Sequence, residues 1–132
     1  MPGPFNLDGK VALVTGANTG LGQAIALALA QAGADIAAVG RSAPDDTLAE
    51  ARKAGRRAEW IEANLDDSTG VKAIVDSAIA KFGAIDILVN NAGTIRRNDA
   101  LDFTQDDWDA VIGVNLKSAF FLAQAAARWW VA

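Results

Sequence analysis

The chain has 132 residues, which suits one domain, and its 52% apolar and 21% charged residues are typical of a folded globular protein rather than a disordered one. Its net charge is −4 and its lysines and arginines are scattered, so it lacks the basic stripe of a nucleic-acid-binding protein. It has no Cys and no His, which excludes disulfide bonds and removes the usual zinc ligands, and we therefore expect no metal site.

The N-terminal sequence MPGPFNLDGK has neither the basic start nor the apolar core of a signal peptide. No later apolar run approaches the roughly 20 residues that a bilayer-spanning helix needs. We therefore expect a cytoplasmic protein with no membrane partner.

Strands and helices are predicted to alternate along the chain. Short apolar runs predict buried parallel strands at residues 11–14, 36–39, 58–61 and 87–89. Helical patterns follow them at residues 21–32, 45–54, 71–82 and 104–130. This alternation predicts an α/β fold, a Rossmann-type doubly wound parallel sheet with helices on both faces.

The first strand leads into TGANTGLG, a glycine-spaced turn that opens directly into an apolar helix. Gly16 allows a tight turn, Gly20 allows the backbone to approach a pyrophosphate, and Gly22 allows the helix to pack close to the strand. This context predicts a dinucleotide cradle, and a purely structural glycine turn is the alternative. The predicted cradle consists of Gly16, Asn18, Thr19, Gly20, Leu21 and Gly22.

The end of the second strand is where this fold usually places an acidic residue that binds the ribose hydroxyls of a dinucleotide. Here the strand is followed by Arg41 and Ser42. A guanidinium matches phosphate oxygens, so Arg41 favours the 2′-phosphate of NADP(H). A solvated or adenine-stacking arginine is the alternative.

The long final helix has a start signal but no stop signal. Thr104 can cap its N-terminus, and Asp107 lies in the first turn, where a carboxylate is favourable. The helix is too apolar to face solvent, so we expect something beyond this chain to cover it. The chain ends in WWVA without a glycine or a polar tail, and we interpret it as truncated after the fourth strand and this helix. The fourth strand would then have an open edge.

Two motifs together resemble the short-chain dehydrogenase/reductase family: the TGxxxGxG form of the glycine turn, and NNAG directly after the fourth strand. The resemblance implies that Asn91, Ala92 and Gly93 brace the sheet and border a nicotinamide cofactor. An Asn-Gly-type strand exit is the alternative. Residues 1–132 are then the N-terminal, dinucleotide-binding part of a single Rossmann domain.

Two further positions gain a role from this resemblance. Where the family often has an Asp that binds the adenine amino group, the chain has Asn64 followed by Leu65, and an amide oxygen can accept the same hydrogen bond. Asn115 occupies the family's position for a catalytic proton relay. A structural bend in the helix is the alternative interpretation of Asn115.

Three longer segments are similar to a branch of the family that acts on sugar acids: TGLGQAIALALAQAGADI, DILVNNAGTIRRNDALDF and DDWDAVIGVNLKSAFFLAQAAA. This similarity implies interconversion of a ketone and a secondary alcohol on a six-carbon keto sugar acid. The branch usually uses NAD(H), which opposes the indication from Arg41; the expected cofactor is NAD(H) or NADP(H), with a slight preference for NAD(H). Arg96 and Arg97 are candidates to bind the substrate carboxylate, and a solvated pair in a loop is the alternative.

The family's catalytic Tyr, Lys and Ser are not recognisable in this chain, which contains no Tyr at all. The resemblance implies that they lie beyond Ala132. Loss of a positioned acid or base costs roughly 10²- to 10⁴-fold in rate, so the 132 residues alone are expected to be inactive. A full-length member is expected to be a homotetramer, in which the long helix packs against its equivalent. Alternatives are a non-catalytic nucleotide-binding half-domain that pairs with another chain, and an inert fragment.

Overall fold

The computed structural model describes residues 3–132 and contains a four-stranded parallel sheet. Its strands are β1 (Val11–Thr15), β2 (Asp35–Gly40), β3 (Ala58–Glu62) and β4 (Ile87–Val89), in the spatial order β3-β2-β1-β4. In the register, Ala12 of β1 is opposite Ile36 of β2 and Ile87 of β4. Each predicted strand is confirmed to within one residue at either end.

The helices are α1 (Gly20–Gln31), α2 (Asp45–Lys53), α3 (Val71–Phe82), α4 (Gln105–Ile112) and α5 (Ala119–Val131). A 3₁₀ turn, Ser68–Gly70, precedes α3, and a π-helical turn, Gly113–Ser118, joins α4 to α5. The predicted helices are present, but neither short turn was predicted, because hydrophobic periodicity does not register a few residues of altered helical pitch.

Apolar residues of β1 alternate between two cores, one on each face of the sheet. Ala12 and Val14 belong to the core that includes buried residues of α1 and α2. Leu13 belongs to the core that includes buried residues of α3 and Leu122 of α5. Because successive strand residues point to opposite faces, helices cover both sides of the sheet, as expected for a doubly wound fold.

Only one side of the long helical stretch, residues 105–131, packs against the rest of the domain. Leu122 and Ala126 are buried, whereas several large apolar side chains are exposed; these are Trp108, Leu116, Phe120, Trp130 and Val131. β4 lies at the edge of the sheet, and its three residues are half-buried. The predicted open edge and uncovered apolar face are therefore both present in residues 3–132.

The continuous helical stretch Gln105–Val131 has 27 residues and is long and apolar enough, by length and composition alone, to cross a bilayer. This corrects the expectation that no stretch approaches that length. Polar residues such as Asn115 and Lys117 interrupt the apolar run, so the sequence pattern did not predict this length. A core helix of a soluble protein meets the same criterion, and Leu122 and Ala126 are buried against the domain.

Candidate dinucleotide-binding site

A cleft of about 260 Å³ lies at the carboxyl ends of the strands. Its walls come from the loops after all four strands, at residues 16–18, 40–42, 63–66 and 92–94, with Val114 of the π-helical turn. Ligands of open α/β sheets bind at this end of the strands. The cleft therefore occupies the place where the sequence predicts a cofactor.

The predicted cofactor residues fall into three groups around this cleft. Those that line it are Gly16, Asn18, Arg41, Ser42, Asn64, Leu65, Ala92 and Gly93. Thr19, Gly20 and Leu21 lie exposed at the N-terminus of α1, outside the lining. Gly22 and Asn91 are packed behind the glycine turn.

The three glycines of the turn have different environments. Gly16 and Gly20 have φ values of +66° and +58°, which favour glycine. Gly20 faces open space, since a Cβ there would meet nothing within 4 Å. At Gly22 a Cβ would collide with the carbonyl oxygen of Gly16 and with Nδ2 of Asn91. The turn thus combines a reversal of the chain, an open backbone surface and close packing of α1.

The N-terminus of α1 fits an anionic group. Its N-cap, Thr19, makes no side-chain capping hydrogen bond, and the first turn of α1 contains no acidic residue. The first backbone N–H groups of a helix lack intrahelical acceptors and form the positive end of its dipole. With the open surface at Gly20, these donors suit the pyrophosphate of a dinucleotide.

Hydrogen bonds join the NNAG segment to the glycine turn. The buried hydroxyl of Thr15 accepts from the backbone N–H groups of Asn91 at 3.0 Å and Ala92 at 2.9 Å. In return, Nδ2 of Asn91 donates to the carbonyl oxygens of Thr15 and Gly16, each at 3.2 Å. These bonds fix the floor of the cleft between β1 and β4.

Two side chains of the π-helical turn are hydrogen-bonded to the backbone of two loops of the cleft. The amide of Asn115 makes a pair of bonds with the backbone of Thr94: Oδ1 accepts from its N–H at 2.8 Å, and Nδ2 donates to its carbonyl at 2.9 Å. Ser118 donates its hydroxyl hydrogen to the carbonyl of Leu65. Such π turns occur frequently at functional sites. A π-helical turn is present at Asn115, and both its relay role and the alternative of a structural bend stay predictions.

The structure brings together Arg41 and Asp66, two charged residues from neighbouring loops of the cleft. Their side chains form an ion pair of 3.5 Å, with 70% and 52% of each side chain exposed. Beside them, Oδ1 of Asn64 accepts from the backbone N–H of Asp66 at 2.9 Å. This uses one of the two lone pairs of the Asn64 oxygen predicted to bind adenine.

Sequence reasoning missed two residues that shape this site. Asp66 directly follows the Asn64-Leu65 pair, and its position after a strand end was a usable signal. Thr47 is fully buried on α2, and its hydroxyl donates to the carbonyl of Ala17 at 2.7 Å while accepting from Gln23 at 3.1 Å. A Thr within a helix gives no sequence signal for such a tertiary bond.

The candidate substrate residues Arg96 and Arg97 lie in an exposed loop and do not line the cleft. The Arg96 guanidinium is 3.4 Å from the carboxylate of Asp107. Asp107 and Thr104 form the capping box of α4, which confirms the predicted helix start. The backbone N–H of Thr104 donates to the Asp107 carboxylate and lowers its pKa. The Arg96 guanidinium is therefore already paired with the Asp107 carboxylate.

The structure is a Rossmann-type α/β domain: it has a parallel sheet with helices on both faces, and a cleft bordered by a glycine-rich turn at the carboxyl ends of the strands. The sequence profile of the family described as short chain dehydrogenase matches residues 10–132. The chain belongs to this family of oxidoreductases.

One relative is 2-dehydro-3-deoxy-D-gluconate 5-dehydrogenase of Escherichia coli strain K12, which is 52% identical over 128 residues. This match covers 97% of the chain and 51% of the relative, so the chain spans about half the length of that enzyme.

Two solved structures bear on the cofactor. A short chain dehydrogenase from Burkholderia cenocepacia in complex with NADP has a TM-score of 0.89 and 44% identity, covering 93% of this chain and 51% of its own. A 3-oxoacyl-[acyl-carrier protein] reductase from Brucella melitensis in complex with NAD has a TM-score of 0.87 and 35% identity, covering 93% and 49%. Relatives of the same fold thus bind either dinucleotide.

Proposed function

We propose that the whole protein is an NAD(P)-dependent oxidoreductase that interconverts a ketone and a secondary alcohol on a sugar acid. The substrate is of the 2-dehydro-3-deoxy-D-gluconate or 2-deoxy-D-gluconate type. The observation that carries this proposal is the 52% identity to the Escherichia coli enzyme across 97% of the chain. The cleft at the strand ends supports it, because its shape and its donors suit a dinucleotide.

In this proposal the glycine turn and the N-terminus of α1 hold the pyrophosphate. Arg41, Ser42, Asn64 and Leu65 surround the adenosine, and the loop at residues 91–93 borders the rest of the cofactor. When bound, the nicotinamide supplies the hydride donor or acceptor. The protein residues bind and orient it and control the proton that accompanies the hydride.

Asn115 is proposed to take part in the proton relay. Its amide already connects the π-helical turn to the backbone of Thr94 at the rim of the cleft. The Tyr, Lys and Ser of the reaction are proposed to come from the length of the relatives that this chain does not cover. Residues 1–132 on their own are then expected to bind the cofactor without turnover.

Arg97 and Arg96 are proposed to bind the substrate carboxylate. Arg97 is exposed near the NNAG loop, whereas Arg96 must exchange its contact with Asp107 for the substrate. A charge-assisted hydrogen bond contributes about 1.5–3 kcal/mol, so Arg97→Ala should raise KM about tenfold or more with little change in kcat.

The test is steady-state turnover of the whole protein with 2-dehydro-3-deoxy-D-gluconate-type acids, followed by nicotinamide absorbance. Asn115→Ala should lower kcat by roughly 10²-fold or more, as expected for lost proton transfer. The matched control is Gln124→Ala, an amide on α5 that does not line the cleft. Absence of turnover with every such acid would overturn the substrate assignment, and equal effects of both variants would overturn the role of Asn115.

A second candidate is a non-catalytic nucleotide-binding half-domain that pairs with another chain. The exposed apolar side chains Leu116 and Phe120, 61% and 59% exposed, favour it, because such a face usually contacts a partner. Under the first proposal the protein is a cytoplasmic homotetramer, and this face packs between its subunits. Dinucleotide binding without turnover in the protein isolated from its own cells would favour the half-domain.

A further inference from the structure

Two charged residues, Arg41 and Asp66, line the cleft after β2 and β3, where the proposed function places the adenosine. Arg41 follows β2 and Asp66 follows β3, so the parallel sheet brings the two loops side by side. The guanidinium and the carboxylate are 3.5 Å apart. A cation that could bind a phosphate is therefore already paired with an anion of this chain.

This pair bears on the choice between the two dinucleotides. NADP(H) differs from NAD(H) by a 2′-phosphate on the adenosine ribose, and an arginine binds phosphate through parallel N–H donors. The Asp66 carboxylate competes for the same donors and repels a nearby phosphate. NAD(H) brings no charge to this position and does not face that competition.

The backbone of Asp66 is fixed independently of its side chain. Its N–H donates to Oδ1 of Asn64 at 2.9 Å, and this bond does not involve the carboxylate. About half of the Asp66 side chain is exposed. An Asp66→Asn substitution therefore removes the charge while it leaves the loop in place.

We propose that Asp66 determines cofactor specificity: it engages Arg41 and thereby lowers the affinity for NADP(H) relative to NAD(H). Asp66 acts here as a positioning residue, because its effect on the phosphate passes mainly through the guanidinium. The inference rests on the proposed function, since it requires that the cleft bind a nicotinamide dinucleotide.

The experiment is a titration of the whole protein with NADPH and with NADH, read by nicotinamide fluorescence. Asp66→Asn should raise the ratio of NADPH to NADH affinity roughly two- to fivefold, as expected for an exposed ion pair. Arg41→Gln should lower the ratio roughly tenfold, and most of the Asp66→Asn effect should vanish in the double variant. The effect should also shrink at high salt, because exposed charges are screened.

The matched control is Asp67→Asn, which removes a neighbouring carboxylate that does not line the cleft and is hydrogen-bonded to Thr69. It should leave the ratio unchanged. An unchanged ratio in Asp66→Asn, or an equal shift in Asp67→Asn, would overturn this inference alone. If wild-type protein binds neither dinucleotide, the proposed function fails as well.

Discussion

The two ends of the chain differ in how completely they are packed. All five residues of β1 are buried, and the glycine turn that follows is held by Asn91 and by the packing of Gly22. β4 is half-buried at the sheet edge, and the long helix leaves Leu116 and Phe120 in solvent. The glycine turn of the cleft thus lies at the well-packed end, whereas the exposed apolar surface lies at the other end of the chain.

This difference separates the residues proposed to bind the cofactor from those proposed to bind substrate and transfer protons. The proposed dinucleotide contacts lie on β1, α1 and the strand ends, where hydrogen bonds between Thr15 and Asn91 hold the backbone in place. The proposed substrate and proton-transfer side depends on Asn115 and on residues outside this chain. Perturbations at the packed end should therefore change cofactor binding most strongly.

The largest effect is expected from Gly22→Ala. The new Cβ would collide with the carbonyl oxygen of Gly16 and with Asn91, so α1 must move away from the turn. Overpacking of this kind costs about 1–3 kcal/mol of unfolding free energy, and dinucleotide affinity should fall more than tenfold. Chemical denaturation and NADH titration measure the two effects.

The matched control is Gly70→Ala, where a Cβ meets nothing within 4 Å and φ is −83°. Gly70→Ala should change neither the free energy of unfolding nor the dinucleotide affinity measurably. Similar losses in both variants would show that close packing at Gly22 has no special role.

Thr15→Val should have the next largest effect. It keeps the volume of the buried side chain but removes the oxygen that accepts from the N–H groups of Asn91 and Ala92. Unsatisfied buried donors cost about 1–3 kcal/mol, and the loosened NNAG loop should weaken cofactor binding. Thr15→Ser retains the hydroxyl and should preserve binding; equal loss in both variants would contradict the role of these bonds.

Thr104→Ala tests the less packed end. It removes the hydroxyl that caps α4 and should lower stability by about 1 kcal/mol. Dinucleotide affinity should stay unchanged because Thr104 does not line the cleft. Thr104→Ser is the conservative control. A large loss of NADH affinity in Thr104→Ala would contradict the proposed division between the two ends.

The smallest effect concerns pH. Hydrogen bonds from Thr104 hold the pKa of Asp107 below its usual value. A depressed folded pKa stabilises the protein above the unfolded pKa of about 3.9, and this contribution is lost as pH falls through the folded value. The protection of the Thr104 amide against hydrogen exchange, relative to its intrinsic exchange rate at each pH, should fall below about pH 4, and Asp107→Asn should remove that fall. A fall in protection that persists in Asp107→Asn would contradict this assignment.

The sequence predicted the fold because its cues are local. Each apolar run that was predicted as a strand forms one, and Thr104 caps α4. Gly16 and Gly20 have the positive φ values that a tight glycine turn requires. The contacts that shape the site are non-local and left weaker signals. The Arg41 and Asp66 pair joins two loops through the sheet order, and the π-helical turn at Asn115 depends on bonds to Thr94.

The central claim is that the cleft at the strand ends holds the dinucleotide, and hydrogen exchange with and without NADH tests it most directly. We predict slower exchange at residues 16–22, 63–66 and 92–94. Little change is expected along a groove between α3 and α5 that is lined by Val75, Ile79, Phe121 and Ala125. Protection confined to that groove, or no change at the glycine turn at saturating NADH, would contradict the account.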